Sequence, residues 1–180
     1  ETWLPGYPSW LDVSPEMGLW DYAPTKAAFR RLFENSVDVP GPVTERLGKA
    51  ARRAGLNLVM GINERDGGTL YNTILYFSED GELLGKHRKL IPTYTERLVW
   101  GRGDGSTLTV VDTPVGRIGG LVCWEHWMPL ARQAMHDQRE IFHAALWPTV
   151  REILLVASRA YAFEGRCFVV AAGSVLRREY

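Results

Sequence analysis

Gly119-Gly120-Leu121-Val122-Cys123-Trp124-Glu125-His126 is an apolar run that leads straight into a cysteine, and Pro129 opens a helix shortly afterwards. The small and aliphatic residues before the cysteine show no polar alternation, which is the pattern of a strand covered on both faces. A proline fits the first turn of a helix, where its missing N–H costs nothing. The same alternation continues downstream: a strand from Ile141 to Trp147, a helix from Val150 to Glu164 and a strand from Cys167 to Ala172. Upstream, Thr107 to Asp112 and Val115 to Trp124 flank Thr113-Pro114 as a strand pair. Strands that alternate with helices and are apolar throughout need helices packed on the sheet, so the fold class is α/β.

The first half agrees. Glu1 to Pro24 is rich in proline, glycine and tryptophan and reads as an irregular loop. Pro24-Thr25 opens a helix with Ala28, Leu32 and Phe33 on one face, and Pro42 to Ala54 forms a second, ended by Gly55. Leu56-Asn57-Leu58-Val59-Met60-Gly61-Ile62 is a further buried strand. Leu70 to Phe77 and Leu83 to Lys86 flank the turn residues Asp80-Gly81, a hairpin signal. Two hairpins among parallel-type strands make the sheets mixed. No repeat, low-complexity tract or linker divides the chain, so residues 1–180 read as one domain.

The 180 residues are 46% hydrophobic, and 21 basic side chains balance 21 acidic ones. No overall field draws the chain to nucleic acid or to an anionic membrane, and no apolar run approaches the roughly 20 residues of a membrane span. Cys123 and Cys167 each sit in an apolar stretch, which fits reduced thiols in a cytoplasmic protein. The four histidines and two cysteines have no metal-ligand spacing, so no metal is expected. The chain opens at Glu1 without a methionine and stops just after an apolar segment, so it reads as a piece incomplete at both ends.

Three segments carry side chains able to do chemistry. Cys123 stands at the carboxyl end of a strand, where open α/β sheets place their ligands. The helix start nearby favours thiolate, and the Trp124 N–H is placed to hold a developing oxyanion. A buried structural cysteine is the competing reading. In Lys86-His87-Arg88-Lys89, period-two alternation puts His87 and Lys89 on one face and Lys86 and Arg88 on the other. The segment is either a solvated edge or the source of a lysine pointing at the thiol. Glu1, Glu96 and Glu125 are the carboxylates near these segments, and composition does not choose among them as general base.

Together these segments resemble the nitrilase family of carbon–nitrogen hydrolases along nearly the whole chain. Glu1, Pro5, Gly6, Tyr7 and Pro8 match E-x-x-x-P-G-Y-P, His87 through Thr93 match H-R-K-L-x-P-T, and Cys123-Trp124-Glu125 matches the nucleophile motif. Ala145 to Thr149, Ala157 to Arg159 and Tyr161 to Cys167 agree as well. The resemblance implies a four-layer α-β-β-α sandwich of two mixed sheets. It implies that Cys123 is the nucleophile, Lys89 the stabilising cation, Glu1 the general base and Glu96 a positioning carboxylate. Trp124 and Glu125 would then face the substrate, and no cofactor is needed. Cys-Trp-Glu resembles true nitrilases, which convert a nitrile to the carboxylic acid and ammonia. The family also implies assembly into dimers or larger spirals.

The alternatives are an amidase or carbamoylase, a cyanide-degrading enzyme and, from another class, a catalytically inert assembly module. Trp3, Trp10, Trp100, Trp127 and Trp147 are either aromatic walls of a substrate site or packing.

Overall fold

The computed structural model describes residues 1–175. It contains five α-helices and eight strands among those residues: α1 (Trp10–Val13), α2 (Ala23–Asn35), β1 (Val37–Asp38), α3 (Pro42–Ala54), β2 (Leu58–Asp66), β3 (Thr69–Phe77), β4 (Leu83–Arg88), β5 (Val111–Thr113), β6 (Gly116–Val122), α4 (Pro129–His136), β7 (Phe142–Trp147), α5 (Glu152–Gly165) and β8 (Phe168–Gly173). The strands form two four-stranded sheets, β1-β2-β3-β4 and β5-β6-β7-β8. Both are mixed. In the first, β1 runs parallel to β2 and the rest are antiparallel. In the second, only β5 and β6 are antiparallel.

The sheets press together through an apolar core. Ile74 and Tyr76 of β3 join Val122 of β6, Ala145 to Trp147 of β7 and Leu154 and Ala157 of α5 in one cluster. Burying each large side chain contributes about 1.5–3 kcal/mol. Ala51 of α3 packs against Ile62, Leu75 and Phe77 of the first sheet. Leu121 of β6 and Met135 of α4 meet Tyr161 of α5 and Cys167 in a cluster of their own.

Local chemistry explains the element ends. Gly55 stops α3 at φ +62°, in the left-handed region that glycine tolerates. The expected loop at the start holds α1, whose Leu11 is buried, and a 3-10 turn, Pro15–Gly18. The hairpin of β2 with β3 was not expected. Asp66 pairs with Thr69 across Gly67-Gly68, a two-residue turn that extends β2 well past Ile62. Thr107 closes a 3-10 turn rather than opening β5, and β6 ends at Val122, one residue short of the cysteine.

Candidate active site

Glu1 is delivered by a segment that runs alongside β2. Trp3 N donates to Gly61 O at 2.8 Å, and Asn63 N donates to Leu4 O at 2.7 Å. This approach needs glycine at 61, since an added Cβ there would overlap the Glu1 carbonyl oxygen. The Glu1 nitrogen donates to Trp147 O at the end of β7 at 2.6 Å, so the residue bridges the two sheets. Lys89 follows the last residue of β4 and is held through its N–H, which donates to Asn72 O at 2.8 Å. Glu96 lies in the 3-10 turn Tyr94–Leu98, where its Oε2 accepts from Thr93 N at 2.7 Å. Cys123 begins the 3-10 turn Cys123–Trp127 at φ +50°, a conformation few non-glycine residues adopt. That kink turns the side chain out of the strand register and into the site.

These four residues converge, and all are buried. Lys89 Nζ donates to Glu1 Oε1 at 2.7 Å and to Glu96 Oε2 at 2.6 Å. One oxygen from each carboxylate and Cys123 Sγ lie within 4.8 Å of one another. Asn72 Nδ2 donates to Glu1 Oε1 at 3.2 Å, and Tyr7 OH donates to Glu96 Oε1 at 3.1 Å. Glu1 Oε2 is buried and has no hydrogen-bond partner among the described residues. A Glu1 oxygen with free lone pairs is therefore present on the carboxylate that shares this buried cluster with the thiol.

The electrostatics divide the roles. Burial pushes the Cys123 thiol up to about 12, and the charge on Glu1 adds to this more than Lys89 relieves it. A helix start favours thiolate, but two carboxylates here outnumber one ammonium and hold the thiol above its ordinary value. Burial likewise raises Glu1 above the usual carboxylate range, against the pull of Lys89. Burial opposes charge on Lys89, but Glu1 and Glu96 together outweigh it and hold the ammonium above its ordinary value. Two carboxylates and a thiol also have the composition of a metal-ligand set. Here the cation between the carboxylates is the Lys89 ammonium itself.

Glu125 lies elsewhere than expected. Its oxygens accept from Leu90 N at 2.8 Å and Val122 N at 2.7 Å, and both lie 3.0 Å from His87 Nε2. Every oxygen is turned into the protein, so Glu125 clips the end of β4 to the end of β6 and does not face substrate. The alternation read at residues 86–89 holds. His87 and Lys89 are buried, while Lys86 and Arg88 both pair with Glu64. The Trp124 ring is half exposed and packs against Trp127. Trp100 and Trp147 are core residues, their indole N–H groups bonded to Asn63 and Ser158. Asn72 and Tyr7 were missed as site residues. Tyr7 stood inside a quoted motif, and Asn72 was visible as a polar residue within a mostly apolar strand.

A cavity of about 820 Å³ touches the site only through Glu1; apolar residues such as Val59, Ile118, Phe142 and Val170 line it together with Asn57, Glu79, His143 and Ser174. Among the described residues no helix is long and apolar enough to cross a membrane.

The carbon-nitrogen hydrolase family matches residues 1–180. A bifunctional nitrilase/nitrile hydratase of Nicotiana tabacum is 42% identical over 99% of this chain and 51% of its own length. An aliphatic nitrilase of Sinorhizobium fredii is 45% identical over 99% of this chain and 58% of its own length. The chain thus spans about half the length of the curated relatives it matches. A carbon-nitrogen hydrolase from Helicobacter pylori superposes with a TM-score of 0.68 at 21% identity, over 85% of this chain and 56% of that one. An amidase from Nesterenkonia, with an acetamide moiety covalently added at its active-site cysteine, gives 0.66 at 19% identity, over 93% and 58%. With a match along its whole length and with Glu1, Lys89 and Cys123 drawn into one buried cluster, the chain belongs to the carbon-nitrogen hydrolase family.

Proposed function

We propose that the protein hydrolyses a nitrile to the carboxylic acid and ammonia through a covalent intermediate on Cys123. The observation that carries this reading is the buried contact set of Cys123, Glu1 and Lys89, with one Glu1 oxygen free to take a proton. The nitrilase relatives at 42–45% identity support the choice of substrate class. Glu1 removes the thiol proton as the sulfur attacks the nitrile carbon, and Lys89 stabilises the charge growing on nitrogen. Proton transfer to that nitrogen gives a neutral thioimidate. Glu1 then activates a water that adds to the same carbon, ammonia leaves, and a thioester remains. A second water releases the acid and restores the thiol. Two waters enter for each nitrile, and one ammonia and one acid leave. Glu96 holds Lys89 in place, and the Trp124 N–H stabilises the oxyanion of the tetrahedral intermediates.

The same reading takes the chain as part of a four-layer α-β-β-α domain, supported by the inter-sheet core and the helices on the outer faces. Free buried thiols support a reducing, cytoplasmic setting. Exposed Phe168 and Val170 on β8 support assembly with further copies.

The test is product analysis with paired nitrile and amide substrates, together with intact-mass detection of the adduct. Acid and ammonia from the nitrile, with a mass increment lost in Cys123→Ala, is the expected result. Turnover of the amide alone defeats the nitrilase reading, and cyanide-only turnover assigns the cyanide-degrading one. A Cys123→Ala variant that still turns over defeats the role of the thiol.

A further inference from the structure

Behind the nucleophile a line of buried polar side chains leads away from the site, and none of them enters the reaction described above. His126 Nδ1 lies 2.8 Å from the Cys123 carbonyl oxygen, and His126 Nε2 lies 3.0 Å from His143 Nε2. His143 Nδ1 lies 2.9 Å from Glu140 Oε2, and the Tyr161 hydroxyl donates to Glu140 Oε1. His126, His143, Glu140 and Tyr161 are all buried. Gly119 leaves room for this carboxyl group, since a Cβ there would overlap it.

Counting protons along the line gives one answer. A carbonyl oxygen only accepts, and a neutral imidazole donates from one nitrogen and accepts at the other. His126 must therefore donate from Nδ1 to Cys123 and accept at Nε2. The donor there is His143 Nε2–H, which leaves His143 Nδ1 to accept from Glu140. Glu140 completes the line only as the carboxylic acid. With Glu140 ionised and both rings neutral, one of the three contacts would set two lone pairs face to face. Moving the proton to His143 keeps the count but places a separated charge pair in the core. Burial opposes that arrangement: it pushes both imidazoles down to about 3 and Glu140 up to about 7.

The end of the line matters because the Cys123 carbonyl and the Trp124 N–H belong to one planar peptide and point opposite ways. Holding the carbonyl against His126 aims that N–H the opposite way, away from the histidine pair. It also stabilises the positive φ of Cys123. We propose that Glu140, His143 and His126 form a proton-loaded chain that positions the Cys123–Trp124 peptide for reaction, Glu140 being the neutral acid that completes it. The inference rests on the reading of Cys123 as nucleophile and of the Trp124 N–H as oxyanion donor.

The groups facing Glu140 are His143 from β7, Tyr161 from α5, His136 of α4 with its Nδ1 at 3.8 Å, Tyr76 of β3 and Cys167 ahead of β8. His136 is itself paired with Glu164, which Arg132 also holds. A raised carboxyl keeps its proton below about 7 and loses it above. The positioning is therefore present at and below neutrality and is lost as pH rises.

Glu140→Gln supplies an amide donor to His143 and an acceptor to Tyr161 at every pH, whereas Glu140→Met fills similar space with neither. The expected result is a wild-type kcat that declines above pH ~7, a decline absent from Glu140→Gln, and a loss on the order of ten- to a hundredfold at all pH in Glu140→Met with KM held. An identical alkaline decline in wild type and Glu140→Gln overturns the proposal. Independently of turnover, nitrogen NMR of the Cys123→Ala protein should show His126 protonated at Nδ1 and His143 at Nε2. Its infrared spectrum should carry a carboxylic-acid band that vanishes on adding Glu140→Gln. Those two signals without nitrile turnover in any variant would support the chain and sink the assigned reaction. A His143 protonated at Nδ1 with Glu140 ionised would sink the chain.

Discussion

His87 Nε2 stands 3.0 Å from both oxygens of Glu125, with both side chains buried, and this contact ties the first sheet to the second directly beneath the lysine and the cysteine. Lys89 lies two residues after His87, and Cys123 two residues before Glu125, so the pair sets the spacing of the reacting groups. Glu125 also satisfies the backbone N–H groups of Leu90 and Val122.

Replacing Glu125 by alanine leaves these donors and His87 without their acceptor. We expect a loss of about 3 kcal/mol, read from the denaturant midpoint, with a fall in kcat. Burial would raise Glu125, but His87 and the backbone donors outweigh it, so its folded value is depressed below the usual carboxylate range. Its stabilisation is full above the ordinary glutamate range and disappears as pH falls through the folded value. Glu125→Gln should flatten that acid limb; an unchanged limb contradicts the assignment.

Glu1→Gln separates the two effects of this carboxylate. The negative charge raises the Cys123 thiol, so its removal should let iodoacetamide alkylate the sulfur at lower pH than in wild type. Turnover should nonetheless fall by about 10²–10⁴-fold because the base is gone. A faster-alkylating variant that also turns over faster would refute the base assignment.

Lys89→Met removes the ammonium between Glu1 and Glu96 and leaves two buried carboxylates facing each other. The expected cost is about 3–5 kcal/mol at neutral pH, and the melting temperature of the variant should rise as acid protonates one carboxylate. Lys89 itself has a raised folded value, so the wild-type contribution is complete below its ordinary range and is lost only in strong alkali. A variant melting profile that does not respond to acid would show that the carboxylates are not coupled as described.

Gly61→Ala puts a methyl group where the Glu1 carbonyl oxygen now sits. Relief requires the Glu1 backbone to shift, at about 1–3 kcal/mol. A displacement of this scale should lower kcat by about 10²-fold with far-ultraviolet circular dichroism unchanged. Wild-type kinetics in this variant would mean that the close approach is not used.

The α/β class and most elements were legible because long apolar strands and proline-started helices announce themselves locally. The turn at Gly67-Gly68 is equally local, but the apolar run stops at Ile62 and the polar residues after it hide the rest of β2 and with it the hairpin. Lys89 and Cys123 were readable through motifs and alternation. Glu125 was not, because a carboxylate beside a nucleophile looks the same in sequence whether it faces substrate or accepts from Leu90 and Val122. Nor was the upward push on the thiol readable, since it depends on how many charges from distant segments share one dry volume. His126, Glu140 and His143 looked scattered for the same reason; only the fold aligns them.

Cys123 follows the last residue of β6 in one sheet, Lys89 follows β4 in the other, and Glu1 bridges the two, with Tyr76 and Gly120 touching across the seam. The reaction centre is thus a joint between two plates rather than a feature of either. On the proposed reaction, a sub-ångström slip along that joint would stop turnover while leaving every helix and strand intact. Heat or mild denaturant should accordingly extinguish turnover before it melts secondary structure, and apolar substitutions in the seam should act as remote tuning screws on rate.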